Sequence, residues 1–238
     1  MNVVEEITEL ERAKKRVERK SLAESIKKHT PGFICEVKRA SPSLGRIRDV
    51  DAPGLALEYQ RAGACGVSVL TQMKYFNGSL EDLKAVKKAV DLPVLRKDFI
   101  VDEFQLYEAL VYGADAVLLM ASVLGEELSA FVDKAGELGL EALVEVHDEY
   151  ELELALETNA VLIGVNNRDL KTLKIDLEIS RRLAERIPED RLVVAESGVT
   201  SREDVEYLVD AGADALLVGS ALTKADSAGE KLGELMGE

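Results

Sequence analysis

Three glutamates, two lysines and an asparagine stand at comparable places in short apolar runs of this sequence. In "ICEVKRASPS" (34–43), Glu36 and Lys38 share a parity, so in a strand both side chains point the same way. Lys97 lies near the end of "PVLRKDF" (93–99), Glu145 near that of "ALVEV" (142–146), and Glu196 near that of "RLVVAES" (191–197), while Asn166 closes "VLIGVN" (161–166). Burying charges is costly unless they are paired or used. Carboxylates and ammonium groups gathered at one place shift one another's pKa values and suit general acid–base work. Singly, each has a plain structural reading. Glu145 or Glu196 could cap a following helix, Lys97 could be a solvated rim charge, and Asn166 with Asn167 could fix a turn. Chemistry requires that they converge, and so requires a fold that brings these strand ends together.

Eight β-rich runs recur, at 33–38, 66–70, 93–99, 115–120, 142–146, 161–166, 191–197 and 214–220. Most are continuous apolar stretches, as expected of parallel strands covered on both faces. Segments of helical periodicity lie between them, such as "EDLKAVKKAV" and "SREDVEYLVDAG". "YGADAVLLM" (112–120) is echoed by "AGADALLVG" (211–219), where Gly ends a helix before the chain enters a strand. Eight such units in series predict an α/β fold, a single (β/α)8 TIM barrel, over an open doubly wound sheet. Neither a G-x-G-x-x-G after the first strand nor a P-loop is present. Residues 1–238 are expected to form one barrel domain, with 1–32 as an N-terminal helical extension in which Ser21 and Glu24 fit a capping box.

A barrel of this kind carries its active site at the C-terminal strand ends. All six polar residues fall there. Parity places Leu143 with Glu145, and Leu192 and Val194 with Glu196, on common faces. It also turns Cys35 away, toward the helices. A second signal follows strands 7 and 8, where "ESGV" (196–199) and "VGSAL" (218–222) set Gly beside Ser. Barrels hold phosphate at this corner through backbone N–H groups and a helix N-terminus. Gly198, Gly219 and Ser220 are therefore candidate phosphate ligands, since glycine permits close backbone approach.

Composition bounds the function. A net charge of −15 argues against nucleic-acid and anionic-lipid partners but leaves room for a small anion held by local cations. No apolar run is long enough to span a bilayer, and the charged opening "MNVVEEITELERAKKRVERK" does not read as a signal peptide, so a cytoplasmic location is expected. Cys35 and Cys65 sit in apolar surroundings and read as buried free thiols. The two histidines, His29 and His147, are isolated, so no metal site is expected, and His147 is placed to cap the helix after strand 5.

The motifs "EVKRASPS", "LRKDFIVDEFQ", "GADAVLLM", "LVEVH", "IGVNNRDL" and "VAESGV" resemble, in order and spacing, those of indole-3-glycerol phosphate synthases, from about residue 33 to 222. The resemblance implies ring closure of 1-(o-carboxyphenylamino)-1-deoxyribulose 5-phosphate with loss of carbon dioxide and water, and no cofactor. It makes Lys97 the general acid at the ketone oxygen and Glu145 the partner in dehydration. Glu36 would support the lysines and the cationic intermediate, and Lys38 would bind substrate, phosphate included, or share the acid role. Asn166 and Glu196 complete the catalytic set. Ser41 and Arg168 would face the substrate carboxylate, Ser197 would join the end of strand 7, and Phe99 and Leu118 would wall the aromatic pocket or serve as plain core. A monomer acting on a small anionic phosphorylated substrate is expected.

Some positions depart from the family pattern. Leu44 stands where many members carry a lysine, Gln72 and Met73 where an acidic residue and a proline are frequent, and the N-terminal segment is short. Three alternatives stay open. Another phosphate-sugar barrel isomerase would share the phosphate corner but not the "KDF" and "NxRDL" pair. A Schiff-base aldolase would use Lys97 as nucleophile. A non-catalytic or engineered barrel would keep the fold without turnover.

Overall fold

A computed structural model describes residues 19–42 and 45–238; Leu44, and the part of the expected N-terminal extension before residue 19, lie outside the described residues. Eight parallel strands close into a barrel in chain order: β1 (Gly32–Val37), β2 (Gly66–Leu70), β3 (Val94–Lys97), β4 (Ala116–Met120), β5 (Glu141–Val146), β6 (Leu162–Asn166), β7 (Leu192–Glu196) and β8 (Ala215–Val218). The predicted (β/α)8 fold is the one observed. Strand boundaries fall within a few residues of the apolar runs, because what those runs specify is burial on both faces.

Alternate residues feed two cores. Ile34, Leu95, Leu118, Leu143, Val194 and Leu217 fill the barrel interior. Phe33, Cys35, Val67, Val117, Val144 and Ile163 meet the surrounding helices. Cys35 thus faces the helices as parity demanded, and both cysteines are free and buried.

The interior is closed from below by α1 (Leu22–Lys27), whose Leu22, Ala23 and Ile26 pack with Cys65 and Ile34. The expected capping box is half formed. Ser21 accepts the Glu24 N–H at 3.0 Å, but Glu24 turns to Lys27 instead of reaching back. The first residue of β5, Glu141, takes over. It accepts Ser21 Oγ–H at 2.5 Å and the Leu22 and Ala23 N–H groups at 2.6 and 3.1 Å. A barrel carboxylate on the first turn of a helix satisfies its free donors and complements its dipole.

Register sets the height of the mouth. Leu70 pairs with Lys97, Met120 with Glu145, and Asn166 with Glu196. A two-stranded ribbon, Ala40–Ser41 with Gly45–Arg46, rises beyond β1. Beyond β2, Gln72 caps the short helix Met73–Phe76 by accepting the Tyr75 N–H at 2.8 Å, so a glutamine serves where the family pattern differs. Among the described residues no helix is long and apolar enough to cross a membrane.

Candidate active site

The inward-facing chain positions end in charge. Glu36, Glu145 and Glu196, each 1–2% exposed, stand on the last inward turns of β1, β5 and β7. They do not cap helices. Asp148 caps the helix after β5, α8 (Glu149–Leu156), and Ser201 caps Arg202–Asp210, the helix after β7. Lys97 reaches into the gap between two of them, its Nζ 2.9 Å from Glu145 Oε2 and 2.9 Å from Glu196 Oε2. Lys38 Nζ lies 3.0 Å from Glu36 Oε1. Asn166 Nδ2 donates to Glu145 Oε1 at 3.0 Å, while its Oδ1 accepts the Arg168 N–H at 3.0 Å.

The turn carrying Lys97 is held from outside the barrel. Arg96 has the opposite parity, is 2% exposed, and donates to Asp98 Oδ2 at 3.1 Å and to Glu108 at 3.2 Å. Thr71 also donates to Asp98 Oδ2, at 2.6 Å, and Asp98 Oδ1 accepts the Phe99 N–H at 2.9 Å. A buried guanidinium thus pairs with carboxylates behind the strand while the next residue points into the mouth.

All fourteen residues selected from the sequence line one cavity of about 380 Å³ at this mouth. Ser41, in the ribbon beyond β1, is buried. Arg168 is tied by Nη1 to the Leu173 carbonyl at 3.1 Å. Leu118 lies in the interior floor, whereas Phe99 is 42% exposed on the rim with its ring 6.3 Å from that of Phe76. Phe76 lines the same cavity and was not singled out, since one aromatic in "MKYF" carries no periodic signal.

At the corner of β7 and β8 the chain turns sharply. Ser197 and Gly198 both adopt positive φ, 63° and 99°, and Asn167 holds the turn by donating to the Ser197 carbonyl at 3.3 Å. A non-glycine residue in that region is uncommon and persists where its surroundings hold it. Two glycines serve the carboxylates. A Cβ at Gly164 would lie 2.3 Å from Glu196 Oε1, and one at Gly219 would lie 2.4 Å from Glu36 Oε1. Gly219, chosen from the sequence for a phosphate, thus also makes room for a glutamate.

Electrostatics divides the carboxylates. For Lys97, burial opposes the charge, but Glu145 and Glu196 outweigh it and raise the pKa. Burial also pushes Glu145 up, yet Lys97, His147 and Asn166 hold it below the usual carboxylate range. Burial raises Glu196; Lys97 opposes this, the charge on Glu145 adds to it, and the net shift is upward. Among the described residues Glu196 Oε1 is buried without a hydrogen-bond partner. One ionised and one proton-retaining carboxylate now flank a single ammonium, the division of labour an acid and a base need.

His147 is not isolated, as the sequence suggested, and it does not cap α8. Its Nε2 lies 3.3 Å from Glu145 Oε1 and its Nδ1 2.9 Å from Glu151 Oε2. The clue was the i, i+4 spacing of His147 and Glu151, legible once α8 is placed.

Comparison with known proteins matches residues 1–235 to the family model described as indole-3-glycerol phosphate synthase. The chain is 48% identical over 204 residues to the indole-3-glycerol phosphate synthase of Acetivibrio thermocellus, covering 85% of this chain and 78% of that one. It is 47% identical over 220 residues to that of Dehalococcoides mccartyi, covering 90% and 85%. Among solved structures, thiamine phosphate pyrophosphorylase from Pyrococcus furiosus superposes with a TM-score of 0.64 at 19% identity over 87% of this chain and 94% of that one, a likeness of fold.

Proposed function

This chain belongs to the indole-3-glycerol phosphate synthase family, and on that premise we propose how its barrel mouth performs the family's decarboxylating ring closure in tryptophan biosynthesis. The substrate is 1-(o-carboxyphenylamino)-1-deoxyribulose 5-phosphate. Its aryl carbon attacks the ketone carbon, a C–C bond forms, and negative charge collects on the ketone oxygen. Lys97, kept charged by its two carboxylates, stabilises that oxygen and gives it a proton, because an alkoxide is more basic than even this amine. Carbon dioxide leaves and the ring becomes aromatic again. Glu145, held ionised, takes the proton from the ring nitrogen as the hydroxyl departs, and loss of one proton from the ring methylene with return of a proton to the nitrogen completes the indole. Glu196, whose pKa is raised, supplies the proton that carries the hydroxyl away as water. Its unpartnered Oε1 is an oxygen that a substrate hydroxyl can satisfy.

Substrate recognition follows the lining. Phe99 with Phe76, and Leu118 below, offer apolar walls to the aryl ring. Arg168 and the ribbon residue Ser41 stand toward the substrate carboxylate. Glu36 holds Lys38 at 3.0 Å, at a mouth where an anion needs a cation. The phosphate goes to the corner of Ser197, Gly198, Gly219 and Ser220, where backbone N–H groups at the end of β8 have no partner within their short helix. The net charge of −15 speaks against a nucleic-acid partner.

The observation that carries the assignment is Lys97 Nζ at 2.9 Å from both Glu145 and Glu196 on the floor of the cavity. It also disfavours a Schiff-base aldolase, which needs a neutral lysine. Mass spectrometry of a reaction with the carboxyphenylamino substrate tests both. The expected product has lost one carbon dioxide and one water, with no covalent adduct after borohydride. A borohydride-trapped lysine adduct, or a product that keeps the carboxylate, contradicts the assignment.

A further inference from the structure

His147 stands between two carboxylates from different elements. Its Nδ1 is 2.9 Å from Glu151 Oε2, on the first turn of α8, and the same oxygen accepts the His147 backbone N–H at 2.9 Å. Its Nε2 is 3.3 Å from Glu145 Oε1; the approach misses a well-aligned hydrogen bond, and among the described residues Nε2 has no other partner. A neutral imidazole has one N–H and would turn a lone pair on one of the two carboxylates. Only the imidazolium offers a proton to both. The side chain is 12% exposed, so water does little to screen such a clash. Burial alone would lower the ring's pKa, but Glu145 and Glu151 outweigh it and raise it to about 10.

We infer that His147 is a positioning residue for Glu145: a permanent imidazolium, anchored by Glu151, that orients the Glu145 carboxylate and restores its ionised state after each proton transfer. The inference rests on the role proposed above for Glu145. The charged groups facing the ring are Glu145 from β5 and Glu151 from α8, with Lys97 of β3 beyond Glu145. Each oxygen of Glu145 then has a cation beside it, Lys97 at Oε2 and His147 at Oε1, with Asn166 also at Oε1. When Glu145 accepts a proton, the neighbouring positive charges favour its release. His147 does not line the cavity, so it acts on Glu145 and not on bound substrate.

The only other histidine is His29, so one variant, His147→Gln, assigns both ring signals in a nitrogen-labelled NMR spectrum. In the parent at about pH 7.5 both ring nitrogens of His147 should carry protons, and in Glu151→Gln the ring should lose one at a clearly lower pH than in the parent. In kinetics, His147→Gln should lower kcat about tenfold with KM within about twofold, and move the acidic limb of the kcat profile up by about one pH unit. A neutral ring in the parent, or an unmoved acidic limb in His147→Gln, overturns the inference. The parent spectrum alone decides the first point if the variant fails to fold. Glu145→Gln separates the two claims. Parent-like kcat there removes Glu145 as the base, whereas loss of activity there with an unmoved His147→Gln profile removes only the role of His147.

Discussion

Lys97 shows what a strand end can do that an isolated side chain cannot. An exposed lysine beside one carboxylate is worth little, but this one shares two buried carboxylates whose other oxygens are differently supplied. Oε1 of Glu145 has Asn166 and His147, whereas among the described residues Oε1 of Glu196 has no hydrogen-bond partner. The asymmetry, more than the count of charges, sets which glutamate holds a proton. Glycine enters at this scale as space. Gly219→Ala should drive Glu36 from its place, since the new Cβ would sit 2.4 Å from Oε1. A misplacement of that kind costs up to about 10²-fold in rate, so kcat should fall by about 10–100-fold. The Gly219 N–H is retained, so the inhibition constant of inorganic phosphate should change by less than about threefold. Steady-state kinetics with phosphate inhibition checks both. A larger loss of phosphate binding than of kcat would return Gly219 to a purely phosphate role.

Between strands and helices, the element that closes the barrel floor depends on one carboxylate. Glu141 satisfies three donors at the start of α1, so Glu141→Ala leaves two backbone N–H groups and a hydroxyl short of partners. Each unsatisfied donor costs about 1–3 kcal/mol when buried; here water can reach some of them, and a total loss of about 2 kcal/mol is expected. Urea unfolding should show it as a lower midpoint, with kcat at room temperature within about twofold of the parent. A kcat loss without a midpoint shift would mean that the floor communicates with the mouth. This contact was not legible in sequence, because Ser21 and Glu24 satisfied a local rule and the long-range competitor lies about 120 positions away. The strands were legible because burial on both faces leaves a continuous apolar run. Their polar ends were legible because each breaks such a run at the same height. His147 was not, because its pairing with Glu145 and Glu151 depends on where β5 ends and α8 begins, and Arg96 was not, because Asp98 and Glu108 pair with it on the face away from Lys97.

For the molecule as a whole, the mouth opposes stability at the pH where it works. Glu196 has a folded-state pKa above its unfolded value, so the folded state binds the extra proton. Its contribution is therefore most favourable at acid pH and is lost as pH rises from the ordinary carboxylate range near 4.5 to about 8. Replacing it with a neutral isostere removes that loss. Glu196→Gln should melt higher than the parent, with a gap of several degrees that widens between about pH 5 and 8, and should be nearly inactive. Thermal melts across that range check the sign. A gap that narrows with pH would mean that Glu196 is ionised and stabilised in the fold. Charge elsewhere conforms to the same economy, for 45 acidic side chains outnumber 30 Lys and Arg, and the cations at the mouth are each tied to a carboxylate or carbonyl.

The central claim is that Lys97, set between Glu145 and Glu196, drives closure of the indole ring. Product formation is measured directly by indole fluorescence, and the chain contains no tryptophan to obscure it. Parent and Lys97→Ala should be compared with the carboxyphenylamino substrate, alongside circular dichroism to confirm an intact barrel. Removing a general acid typically costs about 10²–10⁴-fold, and removing its charge from a buried site adds to that. A fall in kcat of at least about 10²-fold with an unchanged spectrum is the predicted result. Turnover within about threefold of the parent would contradict it.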